Sequence, residues 1–242
     1  MAINQAINHR NPLPALVLIA SLFASGSVIA QPACPAVEPP DLSSLLLAPP
    51  CDSCAITKAE LAELQTLQAS RTPDMVAHAT ADYTRTIERF LAGMNPPITV
   101  KSVGAADHLF ECAAKTAEDA VDKAKLKFHR TRPYKLPGNG LQVLKRIAAD
   151  DSPSFPSGHA TFGAVTGLVL SQMVPELREA ISTRIEDFGF SRLVSGVHFR
   201  SDVYAGEISG AAVAAALLAN GDFRSQLETA KPDLRKTIGY SQ

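Results

Sequence analysis

Residues 158–174, GHATFGAVTGLVLSQMV, constrain the fold more than any other stretch. The segment is apolar on nearly every side of a helix, and such a helix has to be covered all round. Gly163 and Gly167 permit close helix contact, so the segment reads as the central buried helix of a bundle. The flanking sequence supplies the cover. Residues 56–71, 73–94, 107–130, 176–196, 199–220 and 222–236 read as helices, the first two amphipathic, and Pro73 is placed for the first turn of the second. Strand-like alternation is scarce and there is no Trp. The expectation is an all-α, single-domain helical bundle without internal repeats. Residues 31–55 are rich in proline and lack periodicity, so they are expected to form an extended N-terminal arm lying on the bundle.

The first thirty residues read differently. His9 and Arg10 precede an apolar run that ends in Val28-Ile29-Ala30, small residues suited to a signal peptidase. We expect residues 1–30 to be a cleavable signal peptide and residues 31–242 the functional domain, periplasmic or secreted. An uncleaved anchor helix is the weaker alternative. The most apolar later run, 208–220, is too short to span a bilayer, so no membrane association is expected of the mature form. With a formal net charge of -1, there is no sign of a nucleic-acid polymer as partner. The oligomeric state stays open, a homo-oligomer included.

Cys34, Cys51, Cys54 and Cys112 make an even count, which in an exported chain suggests disulfides. Cys51 and Cys54 form a CxxC, but a redox pair wants a βαβ context and zinc wants a second such pair. We expect one bridge from the arm to Cys112 and a second within the arm.

Three polar clusters resist a purely structural explanation. They are Lys125 with Arg132-Pro133, then Pro156-Ser157-Gly158-His159, then Ser191-Arg192 with His198 and Asp202. Taken singly, each has a plain reading as a dipole partner, a helix cap or surface charge. Together they supply what phosphoryl transfer needs without a metal. Lys125, Arg132 and Arg192 can neutralise phosphate oxygens, arginine doing so bidentately. Ser157 and the Gly158 N–H at a helix start can donate further bonds. Asp202, four residues after His198, would share a face with it on a helix or helix start, and can hold one ring nitrogen protonated and leave the other as a nucleophile. His159 can serve as the acid for the leaving group.

In order, identity and spacing, Lys-x6-Arg-Pro, Pro-Ser-Gly-His and Ser-Arg-x5-His-x3-Asp resemble the signature of the type 2 phosphatidic acid phosphatase (PAP2) superfamily. Within it the chain is similar to the bacterial class A non-specific acid phosphatases, and SSLLLAPP (43–50) resembles a segment near their N-terminus. The resemblance implies a metal-independent acid phosphatase acting on phosphomonoesters, with phosphotransfer where an alcohol replaces water. It implies His198 as the nucleophile forming a phosphohistidine, Asp202 as its orienter and His159 as acid and then base. Lys125, Arg132, Ser157, Gly158 and Arg192 would bind the phosphate. No cofactor is implied, and vanadate is expected as an inhibitor. The alternative is a vanadium-dependent haloperoxidase, in which vanadate would be the cofactor in the same pocket. One departure is Phe190, where the related enzymes often carry an acid before Ser-Arg; Asp187 is the nearest acid here.

Overall fold

The computed structural model describes Met1, residues 33–144 and residues 152–240. The expected leader, from residue 2 on, lies outside the described residues. Among the described residues there is no strand. The helices are α1 (Leu42–Leu45), α2 (Ala55–Ser70), α3 (Pro73–Ala81), α4 (Ile87–Ala92), α5 (Ala105–Phe128), α6 (Gly158–Met173), α7 (Arg178–Val194), α8 (Arg200–Ala219) and α9 (Gly221–Thr237).

The central helix is α6. Ala160, Val165, Val169, Leu170 and Met173 have no exposed surface, and α5, α7 and α8 surround the helix. Its apolar circumference is thereby satisfied, in line with the sequence pattern. Helix α8 comes closest. A Cβ on Gly206 would lie 2.5 Å from the Ser157 carbonyl oxygen, and one on Gly210 would lie 2.5 Å from Ala164 Cβ. Neither site has room for a side chain, so the two backbones meet there. This contact sets the start of α8 against the turn that opens α6, and the Ser157 N–H donates to the Asp202 carbonyl at 2.9 Å.

Three expectations need correction. Residues 73–94 are two helices, not one. Thr86 caps α4, its hydroxyl accepting from the Arg89 N–H at 3.2 Å, and Asp82 turns into the interior between the two helices. The arm is not extended throughout, because Asp41 accepts from the Ser43 N–H at 3.0 Å and caps the one-turn helix α1. Leu42 of that turn is buried in the main core. The apolar run 208–220 belongs to a longer helix. At 20 residues α8 is long and apolar enough to cross a membrane, and half of its apolar window is buried inside the protein.

Disulfides join Cys34 to Cys112 and Cys51 to Cys54. The first ties the arm to α5, and the second closes a turn immediately before α2.

Candidate active site

Lys125 occupies the last turn of α5. The chain leaves that helix through His129, which adopts the left-handed conformation with φ 48°, and Arg130 and Arg132 then turn inward, each almost fully buried. Ser157 is the N-cap of α6, its hydroxyl oxygen accepting from the Ala160 N–H at 3.4 Å. That role uses a lone pair and leaves the hydroxyl hydrogen to donate. Gly158 and His159 form the first turn of α6, where unpaired backbone N–H groups point outward. Arg192 lies in the last turn of α7, and His198 sits just before the Phe199 N-cap of α8.

Lys125 and Arg132 meet at one residue. Lys125 Nζ donates to Ser152 Oγ at 3.1 Å, and Arg132 Nε donates to the Ser152 carbonyl at 2.8 Å. Arg132 Nη1 also donates to the Val197 carbonyl at 3.0 Å and lies 3.2 Å from His198 Nε2. Guanidinium nitrogens only donate, so Nε2 faces Arg132 with its lone pair and the ring proton is assigned to Nδ1. Nδ1 lies 3.4 Å from both Asp202 Oδ2 and Ser154 Oγ. The Ser154 hydrogen is already given to Asp202 Oδ2 at 2.5 Å. Both atoms can therefore accept from Nδ1–H. His198 and Asp202 do not share a helix face as expected: His198 precedes the helix, and Asp202 reaches back to accept from the Phe199 N–H at 2.8 Å.

His159 and Arg192 meet at Tyr83, which follows α3. His159 Nε2 is 3.3 Å from the Tyr83 carbonyl, an acceptor, which assigns that proton to Nε2. The Arg192 guanidinium stacks over the Tyr83 ring at 4.3 Å from its centroid. Arg192 has no exposed surface, and among the described residues no carboxylate or carbonyl accepts from its three guanidinium nitrogens, the Tyr83 side chain being the polar group against it. Burial pushes Arg192 down to about 10, with the Tyr83 side chain opposing the shift.

The electrostatics follow from burial and crowding of like charge. Burial, then Arg132, brings Lys125 down to about 8. His198 is held well below the ordinary histidine value by burial, then by Arg132, Lys125 and Arg192. His159 is likewise lowered by burial, then by Arg192 and Arg85. Burial pushes the Asp202 carboxyl up, against Arg130 and the hydrogen bonds from Ser154 and Phe199. Two neutral imidazoles thus stand among clustered cations, an arrangement suited to an oxyanion.

A second polar network lies under the Arg192 side. Asp82 is fully buried and accepts from Arg89 Nε at 2.7 Å, Arg184 Nη2 at 2.6 Å and Ser191 Oγ at 2.6 Å. The signature serine Ser191 therefore braces α7 against the C-cap of α3. Asp187 pairs with His78 at 2.7 Å and Arg184 at 2.6 Å, while Phe190 is partly exposed. Sequence reasoning missed Tyr83, Arg130, Ser152, Ser154 and Asp82. Arg130 falls within the Lys-x6-Arg-Pro spacing and Ser154 two residues before Pro156, so nearness to the signature was a usable signal; Tyr83 and Asp82 carried none.

Among the described residues two groups have metal-ligand character, Cys34 with His108 and Cys112, and His78 with Asp82 and Asp187. The first has both sulfurs in a disulfide. In the second, Arg184 already supplies the positive charge.

A PAP2 superfamily model matches residues 110–225. An acid phosphatase of Zymomonas mobilis is 34% identical over 60% of this chain and 54% of its own length. A non-specific acid phosphatase of Providencia stuartii is 32% identical over 70% of this chain and 66% of its own. The chain thus spans between about half and two thirds of the curated relatives it matches. Among solved structures, a bacterial vanadium-dependent iodoperoxidase aligns over 72% of this chain and 52% of its own, with a TM-score of 0.52 at 15% identity. That likeness is one of fold.

Proposed function

The chain belongs to the PAP2 superfamily, and we propose that it hydrolyses phosphomonoesters through a phosphohistidine, without a metal, outside the cytoplasm. The observation that carries this reading is the buried Arg192 guanidinium, which among the described residues meets no carboxylate or carbonyl acceptor, close enough to act electrostatically on a histidine whose Nε2 faces Arg132.

The ester's non-bridging oxygens take bonds from Lys125, Arg132, Arg192, the Ser157 hydroxyl and the Gly158 N–H. His198 Nε2 attacks phosphorus as the bond to the leaving oxygen breaks. His159 gives that oxygen a proton, so the alcohol leaves neutral. The positive charge that develops on His198 is shared through Nδ1–H with Asp202. His159, now neutral, takes a proton from water as the water attacks phosphorus; the P–N bond breaks and inorganic phosphate leaves. An alcohol in place of water yields a transferred phosphoester.

His159 starts out neutral because of its surroundings. An arriving phosphate brings negative charge that favours its protonated form, so low pH favours the productive complex. Lys125, down to about 8, is charged throughout that range. Phosphate and vanadate are competitive inhibitors in this scheme, vanadate the tighter as a trigonal-bipyramidal mimic of the transferring group. Residues 1–30 would act as a cleaved leader and residues 31–242 as the enzyme. The two disulfides support an oxidising compartment.

The test is hydrolysis of a panel of phosphomonoesters at acid pH, with and without EDTA. Turnover unaffected by EDTA is expected. Full loss with EDTA and recovery with a divalent ion would overturn the metal-independent scheme.

A further inference from the structure

Asp202 is the end of a line of buried charge that starts on α2. Arg130 is 4% exposed and its planar fork is divided between two carboxylates. Nη1 donates to Asp202 Oδ1 at 2.7 Å and to Ser201 Oγ at 2.6 Å. Nη2 donates to Glu60 Oε2 at 2.9 Å and reaches Thr57 Oγ1 at 3.3 Å. The guanidinium also lies over the Phe199 ring, 4.2 Å from its centroid. Glu60 holds the start of α8 as well, its other oxygen accepting from the Ser201 N–H at 2.7 Å. One turn further along α2, Glu63 takes Arg200 Nε at 2.8 Å.

We infer that Arg130 is a positioning residue for His198: it fixes the Asp202 carboxylate against Ser154 and the Phe199 N–H, and Glu60 of α2 holds Arg130 in that place. The inference rests on the reading of His198 as nucleophile. A lysine cannot bridge two carboxylates in this way, because a single ammonium lacks the fork. Both Asp202 oxygens are engaged, Oδ1 by Arg130 and Oδ2 by Ser154 and Phe199. Fixed in this way, the carboxylate keeps one acceptor aimed at Nδ1 and holds Ser154 Oγ, the other, in place beside it. The charged or titratable groups facing Asp202 are Arg130 and His198, with Lys125 and Arg132 beyond the imidazole and Glu60 beyond Arg130. Arg130 opposes the burial that raises the Asp202 carboxyl. Its removal lets Asp202 take up a proton at higher pH, and a protonated Asp202 no longer stabilises the imidazolium.

The experiment uses the full chain labelled with 15N-histidine, comparing wild type, Arg130→Gln, Arg130→Lys and Glu60→Gln. It follows the His198 Nδ1–H resonance against pH, and kcat and KM for nitrophenyl phosphate. For Arg130→Gln the resonance is expected to broaden into exchange with water. Its kcat is expected to fall about 10- to 100-fold, as for other outer hydrogen-bond partners, with KM little changed and the acid limb of kcat moved to higher pH. Arg130→Lys recovers part of the kcat, and Glu60→Gln shows the same changes on a smaller scale. If Arg130→Gln does not fold, Glu60→Gln carries the test. A folded variant that keeps both the resonance and kcat at every pH overturns the inference. A wild type with the protected resonance but no phosphomonoester hydrolysis would refute the proposed function and leave the positioning role standing.

Discussion

Arg184 and Arg192 lie about two turns apart on α7, at 1% and 0% exposure. Each guanidinium rests on an aromatic ring, Arg184 at 4.8 Å from the Phe188 centroid and Arg192 at 4.3 Å from that of Tyr83. Their acceptors separate them. Arg184 donates to both oxygens of Asp82, to Asp187 and to the Phe90 carbonyl, whereas among the described residues no carboxylate or carbonyl accepts from Arg192, which has only the Tyr83 side chain against it. A buried cation is tolerable when paired and costly when it is not. Arg184 thus serves the fold, and Arg192 is held at a cost that, in the proposed scheme, an incoming anion offsets. Residue type, helix and depth are shared; only the partners assign the role.

Arg192→Met tests this contrast hardest. Its kcat/KM is expected to fall by about 10²- to 10³-fold, the usual cost of losing one donor to transition-state charge. The melting temperature without ligand should stay level or rise, because an unpaired buried charge is gone. Added phosphate should stabilise the wild type and leave the variant nearly unmoved. A variant that melts well below wild type would place Arg192 in the same class as Arg184.

Arg184→Met should do the reverse. Asp82 loses its two-pronged partner, and the unfolding free energy is expected to drop by about 3 kcal/mol in a urea titration. Molecules that remain folded should keep more activity than the Arg192 variant. Unchanged stability would mean that Arg89 and Ser191 suffice for Asp82.

A smaller difference lies in the pH profile. After burial, Arg192 is the largest influence lowering His159. Removing that cation raises the His159 value, so its protonated, proton-donating form persists to higher pH. The alkaline-side limb of kcat/KM should therefore move upward in Arg192→Met and stay in place in Arg184→Met. A limb that does not move in the first variant would dissociate it from His159.

Legibility in the sequence follows the same division. Arg192 was singled out because the proposed phosphate chemistry calls for particular residues in a set order, and the spacings around it survive as a pattern. Arg184 was not, because its partners come from α3, α4 and its own helix, and only the fold brings Asp82 and Phe90 together. The central helix was legible from its apolar circumference, since covering it leaves few solutions. The break between α3 and α4 was not. The amphipathic pattern runs through residues 82–86, and what interrupts it is a buried aspartate shared between Arg89 and an arginine 102 residues away. The relation of His198 to Asp202 was read correctly as close and wrongly as helical: spacing gives proximity, but the cap geometry at Phe199 decides orientation.

The central claim is that His198 carries the phosphoryl group, and trapping it is the most direct measurement. Wild type and His159→Ala are mixed with nitrophenyl phosphate, quenched in alkaline denaturant to preserve a phosphoramidate, digested and analysed by mass spectrometry. A phosphoryl group is expected on the peptide bearing His198, at a higher level in His159→Ala because hydrolysis of the intermediate loses its base. His198→Ala should show neither label nor turnover. Phosphate found on a serine, or near-normal turnover by His198→Ala, would contradict the claim.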